Sequence, residues 1–419
     1  MDSITLKNGP PMIRPCRTAA RGTLTLLTAV LILPGHTLGR PGDDARPHAG
    51  GEPGRGEFTT AVREIPYFAR LYGVTCAQCH VSPPKLNEFG EEFVAAGYSA
   101  PGLEAGRTWP LAVWASGRME SLPADDPLAG DVVSYLNRIE LISGGRVIAP
   151  WLSYFVEWRA LSLEARADGT KRDRSGRFED LFMTAGAGSF DVTVGQFRLL
   201  QQVDVSRRIG LSEPLVFSAS LPGEGDGSAR AQSLRGFSPA GRSPAVRAAW
   251  KQAAGGGTWT TALTLPFPGE FSVPLTEEAR TEASNEVLAE LKGVYLESFV
   301  RRGLTSVGVH AFYDDADRYL MSGMFTAARA AVHWGAALGF DRVADVTRGR
   351  WSAEAEYFPR NFFALGGRIE NRAADGARTA FLPYINVHYP GTRFTIRVTL
   401  EQRFQRDRGA TLFELGTIF

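Results

Sequence analysis

The stretch Thr392–Gln405 reads TRFTIRVTLEQRFQ, and its pattern decides the fold class. Phe394, Ile396, Val398, Leu400 and Phe404 fall on one face of an extended chain. Arg393, Thr395, Arg397, Thr399, Glu401, Arg403 and Gln405 fall on the other, because successive side chains of a strand point to opposite sides. Strands of a soluble sandwich usually run about five or six residues. This one is much longer, with an apolar face and a strongly polar face, which suits a membrane barrel: lipid outside, polar lumen inside. Trp151–Leu163 repeats the pattern, with Leu152, Tyr154, Val156 and Trp158 set against Ser153, Glu157 and Arg159.

From about Trp109 onward the chain is a succession of such alternating segments, with no transmembrane helix and no clear long amphipathic helix. Short links are expected near Gly186–Gly188, Ala253–Gly257, Arg302–Gly303, Pro359–Arg360 and Pro390–Gly391. Longer ones are expected at Ser121–Gly130, Glu164–Gly176, about Leu200–Arg242, Pro266–Glu286, Asp341–Arg348, Asn371–Ala377 and Arg406–Gly409. Barrels of the outer-membrane type have short periplasmic turns and longer external loops, and the links alternate accordingly, apart from short ones near Asp314–Asp317 and Arg406. About sixteen antiparallel strands are expected, or about fourteen if the weak segments flanking Leu200–Arg242 are not strands, an even number in either case. The last strand ends Phe413-Glu414-Leu415-Gly416-Thr417-Ile418-Phe419, and a terminal aromatic on an alternating strand resembles the assembly signal of bacterial outer-membrane proteins. The predicted fold class is therefore an all-β transmembrane barrel over residues 107–419.

The region before the barrel is different in kind. Residues 1–40 look like a secretory signal: Arg14, Arg17 and Arg21 precede the short apolar run Leu24–Leu33, with small residues near Gly35–Gly39. The run is too short for a membrane-spanning helix. Residues 41–56, rich in Pro, Gly and charge, read as a disordered leader. Residues 57–106 form a small unit containing Cys76-Ala77-Gln78-Cys79-His80. C-x-x-C-H is the attachment site of a c-type haem. Each thiol adds to one vinyl group of the porphyrin, and the adjacent imidazole reaches the iron, so Cys76 and Cys79 are the covalent haem ligands and His80 the axial iron ligand. The chain has three cysteines, and the third, Cys16, lies before the apolar run of the signal. The alternatives are a C-x-x-C redox pair, which lacks a βαβ context, and half a zinc site, which lacks a second C-x-x-C or H-x-x-x-H.

A helix is expected from about Lys85 to Ala96, with Leu86, Phe89, Phe93 and Val94 on one face and Gly97 ending it. Phe89 and Phe93 are placed to pack on a porphyrin, since a unit of this size buries too little surface to stand without a staple. A carbonyl of Pro83 or Pro84 is close enough in sequence to fix the tautomer of His80. The distal iron ligand is open. Lys85, His48, and the barrel residues Met119, Met183, Met321, Met324, His310, His333 and His388 are candidates, a vacant position is the alternative, and a methionine would set a higher potential than a second histidine.

The stretch Phe68-Ala69-Arg70, Gly73, Cys76-x-x-Cys79-His80, Pro84-x-Leu86, Gly90, Phe93, Gly97-Tyr98 resembles the N-terminal domain of outer-membrane monohaem cytochrome–porin fusions of iron-oxidising bacteria. The likeness is residue by residue over about 65–99 and architectural beyond. It implies one covalent haem c in a small helical domain plugging the lumen. It also implies an oxidoreductase-like activity in the bacterial outer membrane: electrons pass from extracellular Fe(II) to a periplasmic c-type cytochrome. The alternatives are a conduit with another donor or outward flow, and a porin whose haem unit is a plug or sensor.

The formal net charge is +1, and no basic run is present, which removes nucleic acid as a partner. No hydrolytic constellation is present, and Ala253–Gly257 is a turn rather than a phosphate loop. Arg159, Arg393, Arg397 and Arg403 fall on the presumed lumen face, where they can meet haem propionates, Glu157 or Glu401, or line a polar lumen. Asp314-Asp315-Ala316-Asp317 offers carboxylates suited to Fe(II) on an external loop.

Overall fold

The computed structural model describes residues 67–99 and most of 109–419. The expected signal, the leader, His48, Arg393 and Asp314–Asp317 lie outside the described residues. Among the described residues sixteen long antiparallel strands close into a barrel. They are β1 (Ala112–Ser121), β2 (Val132–Arg146), β3 (Leu152–Ala165), β4 (Arg177–Ala187), β5 (Phe190–Arg198), β6 (Arg242–Ala254), β7 (Gly257–Pro266) and β8 (Val294–Arg302). There follow β9 (Thr305–Tyr313), β10 (Tyr319–Arg329), β11 (Val332–Val343), β12 (Val346–Arg360), β13 (Phe363–Arg372), β14 (Arg378–Pro390), β15 (Thr395–Arg403) and β16 (Ala410–Ile418). Each pairs with its neighbour in sequence, and β16 pairs with β1 from Leu412↔Glu120 to Ile418↔Trp114. Val113 and Phe419 then exchange backbone hydrogen bonds of 2.8 and 3.0 Å, so the seam is zipped to its end. Closure satisfies every strand and leaves no edge, the condition for a sheet to stand in lipid.

The faces follow the alternation. In β15, Thr395, Thr399 and Glu401 are at most 2% exposed, whereas Leu400 is 41% exposed. Ser153 and Glu157 of β3 are likewise turned inward. Large apolar side chains lie exposed around the wall, and aromatic residues collect at both rims. Trp250, Trp259, Trp334, Tyr357 and Tyr389 stand at one end. At the other, Tyr319 meets Phe340 edge-on and Phe381 stacks with Phe404, at centroid distances of 5.9 and 6.3 Å. Two aromatic girdles flanking an apolar band are the outer surface of an outer-membrane barrel.

The links at 188–189, 255–256, 303–304, 330–331 and 361–362 share the rim of Trp250 and Tyr389, and the long ones at 122–131, 166–176, 199–241 and 267–293 share the opposite rim. Both strands flanking 199–241 are present, which decides for sixteen over fourteen. One expectation is corrected. Asp341–Arg348 is not a long link: Asp341 pairs with Arg348, and pairing continues to Val343↔Val346. Its charged residues read as a loop because they are lumen-facing, with the Asp341 carboxylate 3.0 Å from Arg350. The turn at 330–331 has no glycine, proline, asparagine or aspartate to mark it; Ala330 itself takes a positive φ of 52°.

The lumen is not uniformly polar. Phe197, Leu199, Leu200, Val216, Tyr295, Phe312 and Leu320 form a buried apolar cluster inside the wall toward the long-link end. Leu199, Leu200 and Val216 come from the 199–241 link, expected to be wholly external. Its described part folds inward instead, because its apolar side chains find partners there.

Candidate functional site

The small unit holds α1 (Tyr67–Tyr72), α2 (Cys76–Cys79) and α3 (Glu88–Ala95), with His80–Ser82 and Lys85–Leu86 paired as a short hairpin. Helix α3 begins at Glu88 rather than Lys85. Asn87 stops it there: its Oδ1 accepts from the Gly90 amide at 2.9 Å, a normal N-cap. The Asn87 side-chain amide also donates to the carbonyls of Ala77 and Gln78 at 3.1 Å, and its backbone amide to that of Cys79 at 2.9 Å. One asparagine thus caps α3 and satisfies the end of α2. Sequence reasoning passed over it, although Asn followed by Glu in the first turn is a helix-start signal. At the other end Gly97, at φ +70°, closes α3 as expected, with Tyr98 N–H donating to the Phe93 carbonyl at 2.9 Å.

One turn of α2 places Cys76 and Cys79 on the same side, and His80 leaves the helix in extended conformation. All three line one cavity of about 1370 Å³ between the small unit and the barrel wall. The His80 Nδ1 lies 2.9 Å from the Pro84 carbonyl oxygen. A carbonyl can only accept, so Nδ1 carries the proton and Nε2 keeps its lone pair. Burial pushes His80 below the ordinary imidazole range, outweighing that bond, so the ring is neutral at physiological pH. A neutral ring with an orienting partner is what an iron ligand requires. Burial also pushes the Cys79 thiol up to about 11. Reactive redox cysteines are shifted the opposite way, which argues against a dithiol redox pair.

Beside the motif the cavity has an apolar stretch and a row of arginines, three of which share the Glu414 carboxylate. Phe93, Leu86, Trp114 and Ile142 line it, together with the guanidiniums of Arg118, Arg138 and Arg397. The donor set and the lining both fit a covalently held haem. Cys76 and Cys79 would carry the thioether bonds, each by adding S–H across a vinyl group, and His80 Nε2 would meet the iron. Phe93 faces the cavity and packs with Phe68 and Tyr72, at 5.2 and 5.5 Å between centroids. Phe89 does not line it.

The barrel wall holds this unit by polar contacts at the short-link end. Asn386 of β14 donates to Ser82 Oγ at 3.2 Å and to the Pro83 carbonyl at 3.4 Å. Lys85 pairs with Glu356 of β12, so it is not spare for iron. Glu91 accepts from Arg207 and Arg301. Tyr98 stacks on Phe155 of β3 at 5.1 Å.

The remaining candidates separate cleanly. Met119, Met183 and Met321 are exposed on the outer wall. Met324 packs against the apolar cluster, and His310 bonds Ser322. His333 lies against Phe358 at 4.8 Å. His388 alone joins His80 in lining the cavity. Arg159 is taken up by Glu140 and Glu179 at 2.8 and 3.1 Å, Arg397 by Glu414 at 2.7 Å, and Arg403 reaches Ser212 at 3.3 Å. Glu157 and Glu401 pair elsewhere, with Arg242 and with Ser212.

The chain matches no described protein family and no curated protein. Among solved structures it is similar to an anion-selective porin from Comamonas acidovorans, at 12% identity over 74% of this chain and 98% of that one, with a TM-score of 0.47. It is similar also to Pseudomonas putida OprB (10% identity, 78% and 96% covered, TM-score 0.46). A third is a loop-deletion mutant of Vibrio cholerae OmpT (10%, 74% and 97%, TM-score 0.42). The chain is a porin-like outer-membrane barrel on the evidence of its own closed sheet, apolar band and rims.

Proposed function

We propose that this protein is an outer-membrane electron conduit that takes electrons from extracellular Fe(II), through one covalent haem on Cys76 and Cys79, to a periplasmic c-type cytochrome. The observation that carries the proposal is that Cys76, Cys79 and His80 line one cavity inside a membrane-spanning barrel, with the His80 ring oriented by the Pro84 carbonyl. The haem supplies a one-electron couple when bound. The chain supplies its position: Asn386, Glu91 and Tyr98 hold the unit, and Pro84 fixes the imidazole. Each Fe(II) oxidised to Fe(III) outside delivers one electron to a one-electron acceptor inside.

The cavity runs from Gly256 and Gly303 at the short-link rim to Arg177 and Arg242 at the other, and the C-x-x-C-H unit is held toward the short-link end by Arg301, Glu356 and Asn386. Short links mark the periplasmic side, so delivery to a soluble periplasmic cytochrome is the shorter leg. Ala77 and Gln78 are exposed at its edge. The apolar band of such a barrel is about 25 Å tall, and electrons must cross it in steps short enough to tunnel. A plugged porin without electron flow is the second reading, favoured by the packed lumen of Phe197, Leu200 and Tyr295. Stopped-flow mixing of the oxidised holoprotein in detergent with Fe(II) at neutral pH separates the two. Rapid appearance of the reduced haem spectrum supports the conduit; a haem that Fe(II) never reduces sinks it.

A further inference from the structure

We propose that His388 is the second axial ligand of the haem iron, an inference that rests on the haem reading above. The chain has six histidines and six methionines, and among the described residues only His80 and His388 present an imidazole or a thioether to this cavity. The position of His388 is set by its strand. The inward face of β14 runs Leu382, Tyr384, Asn386, His388, each buried. Asn386, one inward step away, grips Ser82 and Pro83, so the turn that follows His80 is pinned to the same strand that carries His388. The two rings are near enough to influence each other electrostatically.

His388 is 4% exposed, and among the described residues no hydrogen bond is made to its imidazole. Buried polar groups are nearly always partnered. A buried imidazole without a hydrogen bond, turned into the space that His80 faces, is explained if iron is its partner. Two imidazoles would leave the iron no open position for water or dioxygen. That suits a relay, whose iron gives and takes electrons without exchanging ligands, and it sets a lower potential than a methionine would.

The test uses the full chain purified in detergent, with covalent haem first quantified as its pyridine haemochrome. No covalent haem overturns the haem reading itself and this inference with it. With haem present, the ferric wild type is expected to give the low-spin paramagnetic resonance and near-infrared dichroism of bis-imidazole iron. His388→Ala should lose that signal for a high-spin one and regain it with added imidazole. His388→Met should restore low-spin iron with a raised midpoint potential. Haem-loaded His388→Ala with an unchanged spectrum overturns the assignment. So does a wild type whose own spectra are those of high-spin or histidine–methionine iron, a result independent of whether any variant folds.

Discussion

Arg207 grips the Glu91 carboxylate with both arms of its guanidinium, Nε to Oε1 and a terminal nitrogen to Oε2, each at 2.7 Å. Arg301 of β8 adds a third bond at 2.5 Å. The pair joins α3 of the small unit to the inward-folded link and to the wall. Burial alone would raise the Glu91 carboxyl, but the two guanidiniums prevail and hold it below the ordinary carboxylate range. A depressed folded-state value means that ionised Glu91 stabilises docking fully above about pH 4.3, its unfolded value, and loses that contribution as pH falls through the depressed value. Glu91→Gln leaves two guanidiniums without their counter-charge, at a cost on the order of 3 kcal/mol. In planar bilayers the parent is expected to be nearly closed at neutral pH and to gain conductance on acidification. The variant should conduct already at neutral pH and respond little to acid; equal, low conductance of both would show that this contact does not seat the small unit.

Gly90 makes a second point of dependence. A Cβ built there would lie 2.1 Å from the Cys79 carbonyl oxygen, a backbone atom that cannot step aside. Gly90→Ala therefore separates α3 from the C-x-x-C turn, with overpacking costing about 1–3 kcal/mol. Haem content per barrel should drop sharply while heat-modifiable gel mobility is retained, because Gly90 lies in α3 and not in a barrel strand. Full haem loading in this variant would refute the close packing.

Most of the barrel was legible because its period-two pattern has a single explanation once the strands are long: Thr399 and Glu401 cannot face lipid, and Leu400 cannot be spared from it. The C-x-x-C-H motif stood out for a different reason, two thiols and an imidazole at fixed spacing, and the fold brings all three to one cavity. What the pattern hid were features decided across the lumen. Asp341 and Arg350 looked like a loop because their pairing is invisible until β11 meets β12. Leu199, Leu200 and Val216 looked external because the link's length, not its apolar content, was weighed. His388 could be named as one candidate among several, but only the inward face of β14 sets it in the cavity that His80 lines.

Leu338, midway along β11, is 60% exposed on the outer wall. An arginine in its place would sit near the bilayer midplane, at a cost of about 2–4 kcal/mol. Leu338→Arg should lower the urea midpoint of unfolding in lipid vesicles, whereas Leu338→Phe should leave it near the parent. If both behave alike, this face of β11 is not in lipid.

The closing seam carries a concentrated charge cluster. Glu414 of β16 is 1% exposed and takes Arg118 of β1 at 2.8 Å, Arg397 of β15 at 2.7 Å and Arg138 of β2 at 3.8 Å. The carboxylate therefore ties four strands across the join of the last strand to the first. Arg397 is further fixed over the Trp114 ring at 4.6 Å. Glu414→Gln keeps the shape and removes the charge, leaving three neighbouring guanidiniums to repel one another, at a cost of about 3–5 kcal/mol by analogy with other broken buried pairs. The expected result is a lower temperature for the heat-induced mobility shift. Adding Arg397→Gln should recover part of the loss, since it removes one of the repelling charges, so the two effects should not add. Additive losses would mean that each residue acts alone and that the seam is held by its backbone ladder, not by this cluster.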